Sequence, residues 1–221
     1  MNITVGAGPY VEPGERTEMR DLVVLTFLTL DGVMQAPGGP EEDPDGGFEH
    51  GGWSVGYWDE QLDQAMDESM SPPFDLVLGR KTYEIFAAYW PHADEPGADL
   101  LNNATKHVAS TTLDELGWEN SQLIEGDVAD GVRAIKEEDG PELQVHGSAN
   151  LVQTLLENGL VDEFRLKIFP LVLGTGKSLF DGGAVPAGLE LTSSEVTPGG
   201  VIAATYRTGS EIKYGTFAED A

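Results

Sequence analysis

Short apolar runs in this chain lead repeatedly into a glycine or hydroxyl corner and then into a stretch of helical period. That alternation, more than any other feature, restricts the chain to an α/β design. Residues 21–30 are apolar and β-rich and close on Asp31-Gly32, and their near-continuous hydrophobicity predicts a central strand covered on both faces. From 59 to 70, Leu62, Ala65 and Met66 recur at helical spacing, and Pro72-Pro73 stops that helix. A strand over 74–78, a turn at Gly79 and a helix over 81–89 come next. Strands over 106–109 and 121–125, then a helix over 128–138, continue the pattern. Residues 143–147 form a strand ending in a glycine turn, and 148–157 form a helix stopped by Asn158-Gly159. Beyond it the character changes. Segments 164–173, 189–196 and 201–208 are β-rich and separated by glycine turns, which predicts an antiparallel or mixed edge on the sheet.

A length of 221 residues suits one hydrophobic core. Residues 1–20, with three Gly, two Pro and no lasting period, read as an extension; residues 21–210 form the single domain and 211–221 an acidic tail. The Gly- and Pro-rich stretch from Ala36 to Gly56 is too irregular for a helix or strand, and loops of that length are often functional. Against 12 Lys and Arg stand 39 Asp and Glu, a formal net charge of -27 spread along the whole chain. Such a surface repels nucleic acids and anionic membranes, and its self-repulsion fades in concentrated salt, where the Debye length falls to about 3 Å at 1 M. No apolar run approaches the roughly 20 residues of a spanning helix, and the first residues lack a secretory pattern. A cytoplasmic protein of a salt-adapted organism is expected. With no cysteine, thiolate metal sites and cysteine nucleophiles are excluded, and the four histidines lack metal-ligand spacing.

Three corners have the chemistry to hold a ligand. Gly79 permits close backbone approach, the following helix start favours an anion, and Arg80 and Lys81 stand there although cations are scarce. Those two side chains serve either a ligand anion or a salt bridge to one of the many acids. Gly147-Ser148 repeats the strand, turn and helix order, with Ser148 either capping the helix or bonding a phosphate. Ser110-Thr111-Thr112 either turns the chain or offers hydroxyls. The sequence has neither a three-glycine dinucleotide fingerprint nor a phosphate-loop lysine.

Five segments in order, Leu28-Thr-Leu-Asp-Gly32, Val77-Leu-Gly-Arg-Lys-Thr-Tyr83, Val145-His-Gly-Ser-Ala-Asn-Leu151, Leu155-Leu-Glu-Asn-Gly-Leu-Val-Asp-Glu-Phe164 and Pro170-Leu-Val-Leu-Gly-Thr-Gly176 with Leu179-Phe180, resemble the dihydrofolate reductase-like superfamily. The branch they are most similar to is the C-terminal reductase domain of the bifunctional riboflavin-biosynthesis deaminase-reductase. The resemblance covers about 21–208. It implies a three-layer α/β fold, a mixed but mostly parallel central sheet with helices on both faces and a β-rich C-terminal end. It also implies an NADPH-dependent reductase that pairs as a homodimer through the sheet. By the family pattern Gly79, Arg80, Lys81 and Thr82 contact cofactor phosphates, with Arg80 and Lys81 near the 2'-phosphate. Ser110 and Thr111 hold the adenosine end, Gly147, Ser148, Ala149 and Asn150 wrap the pyrophosphate, and Leu30, Asp31 and Gly32 border nicotinamide and substrate.

The tryptophan-proline segment of authentic folate reductases and the acid after it are missing in recognisable form. In their place stand Trp53 and Trp58, candidates to stack on a flat heterocycle, and Asp59 and Asp63, candidates with Asp31 for the catalytic carboxylate. The alternative for these residues is that the aromatics anchor the core and the acids start a helix. The expected activity is hydride transfer from NADPH to a small heterocyclic substrate, pterin-like or ribosylaminopyrimidine-like. Competing readings are a non-catalytic NADP(H)-binding protein of the same fold, an authentic dihydrofolate reductase, and a dimerisation protein using the exposed β-rich end.

Overall fold

The computed structural model describes residues 19–71, 73–95, 97–180 and 186–217. Most of the expected N-terminal extension and the last four residues of the tail lie outside them. Among the described residues there are eight strands, β1 (Leu22–Thr29), β2 (Phe74–Gly79), β3 (Lys106–Ala109), β4 (Ser121–Leu123), β5 (Glu142–Val145), β6 (Glu163–Phe169), β7 (Gly188–Val196) and β8 (Ile202–Ser210). They form one sheet in the order β4-β3-β2-β5-β1-β6-β8-β7. The first six are mutually parallel, while β8 pairs antiparallel with both β6 and β7. The expected parallel core and antiparallel edge are therefore one continuous sheet.

Five α-helices among the described residues cover it: α1 (Glu60–Met70), α2 (Arg80–Tyr89), α3 (Ala98–Asn103), α4 (Val128–Glu137) and α5 (Ala149–Glu157). Strand alternation sorts the core into two layers, because successive side chains point to opposite faces. Leu22, Val24, Val77 and Val145 pack with Val132, Leu151, Val152 and Leu155 of α4 and α5. Leu76 and Leu78 point the other way, against Tyr83 of α2 and Leu101 of α3. On that same side Leu62 of α1 joins Val33, Phe48, Trp53 and Phe169 in a third cluster. The long loop of 36–56 thus contributes core residues, with single 3-10 turns at Asp45–Gly47 and Val55–Tyr57 as its only regular structure. Helix α3 was not expected from the sequence.

Several cations are spent inside the fold. Arg20 pairs with Asp75 and donates to the Pro141 carbonyl. Lys136 pairs with Asp162 and bonds the Leu160 carbonyl at 2.8 Å. Lys106 is fully buried, donates to the carbonyls of Asn102 and Glu119, and lies 4.2 Å above the Trp118 ring; burial lowers its ammonium to about 8. Among the described residues no helix is long and apolar enough to cross a membrane.

Candidate functional site

The corners singled out in the sequence follow β1, β5, β2 and β3, which are four neighbours in the sheet, and all lie at the carboxyl ends of those parallel strands. That edge is where open α/β sheets hold ligands. Gly79 and Gly147 touch: the Gly79 amide donates to the Gly147 carbonyl at 3.3 Å. A Cβ on Gly79 would lie 2.2 Å from Ser148 Oγ and 3.1 Å from the Ser148 amide nitrogen. At Gly147, where φ is +151°, a Cβ would lie 2.7 Å from Thr82 Oγ1. Both glycines are there because the two corners pack too closely for side chains. The peptide between Gly147 and Ser148 is cis.

This contact brings together the starts of α2 and α5. Helix starts leave several N–H groups without intrahelical partners, and a side-chain oxygen commonly satisfies one of them. Asp59 does so for α1, accepting from Leu62, and Asp127 does so for α4, accepting from Asp130. The N-cap position of α2 is Gly79, which has no side chain to offer, and the Ser148 hydroxyl makes no capping bond to α5. Of the two readings of Ser148, the cap is therefore not formed. Ala149 is buried in the core beneath this corner and Asn150 is exposed beside it.

The cations at the corner are both paired. Arg80 donates from Nη1 to Glu84 Oε1 and Oε2 at 3.1 and 2.9 Å, one turn along its own helix. Lys81 reaches Asp45 of the long loop at 3.0 Å and Asp43 at 4.0 Å. Lys177 meets the same two carboxylates at 3.2 and 2.6 Å. Hydrogen bonds from Lys81 and then Lys177 hold the Asp45 carboxyl below its usual range. At the third corner Ser110 Oγ accepts from Thr112 and Leu113, turning its own chain, with Thr111 exposed beside it.

At the exit of β1, Leu30 is 62% exposed and its amide donates to the Leu171 carbonyl. Gly32, at φ +82°, makes the turn that pairs with Leu179. Asp31 accepts from Thr29 Oγ1 at 2.5 Å and from the amides of Leu173 and Gly174, bonds that lower its carboxyl from the ordinary value. It ties the first strand's exit to the loop after β6. Asp59, besides capping α1, accepts from Gly199 at 2.7 Å and so clamps the β7–β8 turn; its carboxyl is lowered, chiefly by the Leu62 amide. Asp63 accepts from the Trp58 indole. Trp53 is 8% exposed, bonded to the Gln35 carbonyl at 2.8 Å and edge-on to Phe169, so it is a core anchor. Trp58 is 42% exposed and packs on Phe27 with centroids 5.7 Å apart.

Phe27 is the one residue of β1 that is not buried, although β1 lies inside the sheet. His146, just past the end of β5 on the same face, is likewise half-buried and meets Phe86 of α2 edge-on at 5.9 Å. Two central positions left partly open under a helical layer mark a gap between α1 and α2. Sequence reasoning did not single out Phe27, Phe86 or His146 for this place; the run of identical apolar character in β1 gave no sign of which residue the helices leave uncovered.

Comparison with known proteins fits this geometry. The chain is 27% identical to the Bacillus subtilis protein YyaP over 198 residues, covering 86% of this chain and 95% of that one. It is 28% identical to YwjB of the same organism over 108 residues, covering 48% of this chain and 57% of that one. Among solved structures, a putative riboflavin biosynthesis protein from Shewanella sp. PV-4 superposes with a TM-score of 0.62 at 22% identity, covering 86% of this chain and 99% of that one. A dihydrofolate reductase from Enterococcus faecalis complexed with NADP(H) superposes with a TM-score of 0.56 at 15% identity, covering 86% and 97%. At those identities the superpositions establish the dihydrofolate reductase-like fold. The family pattern for the RibD C-terminal domain matches residues 20–203, from the residues just before β1 into β8, and the chain therefore belongs to that family.

Proposed function

We propose that the protein is an NADPH-dependent reductase that transfers hydride to a small heterocycle, pterin-like or ribosylaminopyrimidine-like. The observation that carries this reading is the meeting of two helix starts, α2 and α5, with no side-chain cap on either, at the carboxyl ends of adjacent strands β2 and β5. Both starts leave N–H groups without intrahelical partners, and a phosphate group is a natural partner for them. Gly79, Thr82, Gly147, Ser148, Ala149 and Asn150 form that holder, with Ser110 and Thr111 toward the adenosine and Leu30 and Gly32 beside the nicotinamide.

The ion pairs at Arg80 and Lys81 do not oppose this reading. An exposed i,i+4 pair such as Arg80–Glu84 contributes only about 0.2–0.5 kcal/mol, whereas a phosphate offers a charge-assisted, bidentate partner. Glu84 gives way to the 2'-phosphate at little cost. Lys81 follows by leaving Asp45, whose second partner Lys177 remains.

When bound, NADPH supplies the hydride. The chain binds, orients and excludes water. Asp31 and Asp59, both held ionised by their donors, act as anchors: the first fixes the turn that borders the nicotinamide, the second fixes α1. Asp63 orients Trp58, which with Phe27 offers a flat surface for the substrate ring. Trp53 supports that wall from the core. A homodimer in the cytoplasm of a salt-adapted organism completes the proposal. Its interface is the exposed apolar face of β7 and β8, where Leu191 stands beside Tyr206 and Val196 beside Ile202.

Titrating NADPH and NADH separately in molar salt, followed by tryptophan fluorescence, tests the assignment. NADPH is expected to bind more tightly by about tenfold or more, the value of one extra charge-assisted contact at roughly 1.4 kcal/mol. Equal affinities, or no binding of either, overturn it.

A further inference from the structure

The gap between α1 and α2 has a polar floor whose chemistry is fixed by the hydrogen-bond network behind it. Gln144 Nε2 donates to the Ser69 carbonyl at 3.0 Å and to Glu142 Oε1 at 2.7 Å, which sets the amide's orientation and leaves its Oε1 to accept. His146 Nε2 lies 3.1 Å from that oxygen and so carries the ring proton. Desolvation lowers the imidazole to about 4, so the ring is neutral near pH 7. Nδ1 is then a bare acceptor, and no partner for it occurs among the described residues. Around it are flat apolar surfaces: Phe86 edge-on to the imidazole, and Phe27 with Trp58 along the neighbouring strand.

Cations are committed elsewhere. On the same face of the sheet Arg165 is paired bidentately with Glu142 at 2.7 and 2.9 Å and also with Glu163. Lys167 is 3% exposed and donates to Ser69 Oγ under the end of α1. Lys177 is held by Asp43 and Asp45, and Lys81, once it leaves them, is taken by the cofactor. The gap offers an acceptor and aromatic faces, bordered by the Asp63 carboxylate on Trp58.

We propose that His146 determines substrate choice, its Nδ1 accepting a hydrogen bond from a ring N–H or amino group of a flat heterocycle that carries no phosphate and lies along Phe27 and Trp58. This rests on the reductase reading and narrows it to heterocycles that carry no phosphate group. A methylated ring nitrogen in place of N–H would leave Nδ1 buried without a partner, and sites built to bond a donor reject analogues lacking one.

Calorimetric titration of the NADPH-saturated protein with lumazine and with 1,3-dimethyllumazine, the same bicycle without its lactam N–H groups, is the test. Lumazine is expected to bind about tenfold or more tightly than the dimethyl compound, as for one buried hydrogen bond lost. His146→Phe, which keeps a ring against Phe86 but removes the acceptor, is expected to bind the two within about twofold, and His146→Gln, which restores an acceptor oxygen, to recover the preference. Adding a 5'-phosphate to uridine is expected to bring no gain in affinity. Absence of discrimination by the native protein, its survival in His146→Phe, failure of lumazine to bind, or tighter binding of uridine 5'-phosphate than of uridine each overturns the proposal. Should His146→Phe not fold, the comparison of the two lumazines on the native protein still decides. NADPH saturation in the same cell separates the two failures: cofactor bound without lumazine sinks this inference alone, whereas no cofactor binding sinks the reductase reading.

Discussion

A single methyl group added at Gly79 has nowhere to go. Ser148 Oγ could swing aside from 2.2 Å, but the Ser148 amide nitrogen at 3.1 Å belongs to the backbone of the neighbouring corner. Gly79→Ala must push the two corners apart, and overpacking of this kind costs about 1–3 kcal/mol. The expected result is a lower thermal midpoint together with weaker NADPH binding, read by melting and by titration. Unchanged NADPH affinity in a folded variant would show that the corner does not hold the cofactor. At this scale the sequence was informative about glycines and uninformative about partners. Gly79 and Gly147 were legible because each ends an apolar run. The pairing of Arg80 with Glu84 follows from helical spacing, but that of Lys81 with Asp45 joins residues 36 apart through an irregular loop, and no local rule reveals it.

Asp59 shows how one side chain sets an element. Its carboxylate starts α1 and also holds Gly199, so that helix is pinned to the β7–β8 turn. Asp59→Ala is expected to lower the denaturation midpoint and to weaken heterocycle binding more than NADPH binding, since α1 borders the gap and not the phosphate corner. The pH dependence has a definite sign. The native carboxyl titrates below its unfolded value, so its contribution is complete above the unfolded value near 4 and disappears as pH falls through the lower, native one. Denaturation of native protein and variant should therefore differ at neutral pH and converge as pH falls through the lowered native value. Helix α1 itself was legible, since Leu62 and Ala65 recur at helical spacing and Pro73 follows. Helix α3 was not: six residues after Pro96-Gly97 are too few to display a period. The half-open positions Phe27 and His146 were equally hidden, because exposure within a central strand depends on where distant helices leave a gap.

Across the whole molecule, apolar surface remains on the sheet's C-terminal edge. Leu189, Leu191, Val196 and Ile202 are each more than a third exposed, and the β7–β8 pairing sets them on one face with Tyr206. A second copy covering that face would explain them, and light scattering in molar salt is expected to give twice the chain's mass. Leu191→Asp combined with Val196→Asp should yield a monomer that still binds NADPH; a native monomer rejects the interface. The parallel character of the core was readable from the alternation of strand and helix, whereas the strand order was not, and this edge was visible only as β-rich composition. The pairing of β8 beside β6 depends on contacts far apart in sequence.

The meeting of α2 and α5 also bears on how far such a molecule can be recoloured. The grip proposed there consists of peptide groups, which carry no titrating charge and are the same whatever side chains surround them. On the reductase reading, an exterior with 12 Lys and Arg against 39 Asp and Glu is compatible with holding an anion, because the backbone part of the grip does not depend on outward cations. Main-chain recognition leaves the exterior free to follow the solvent.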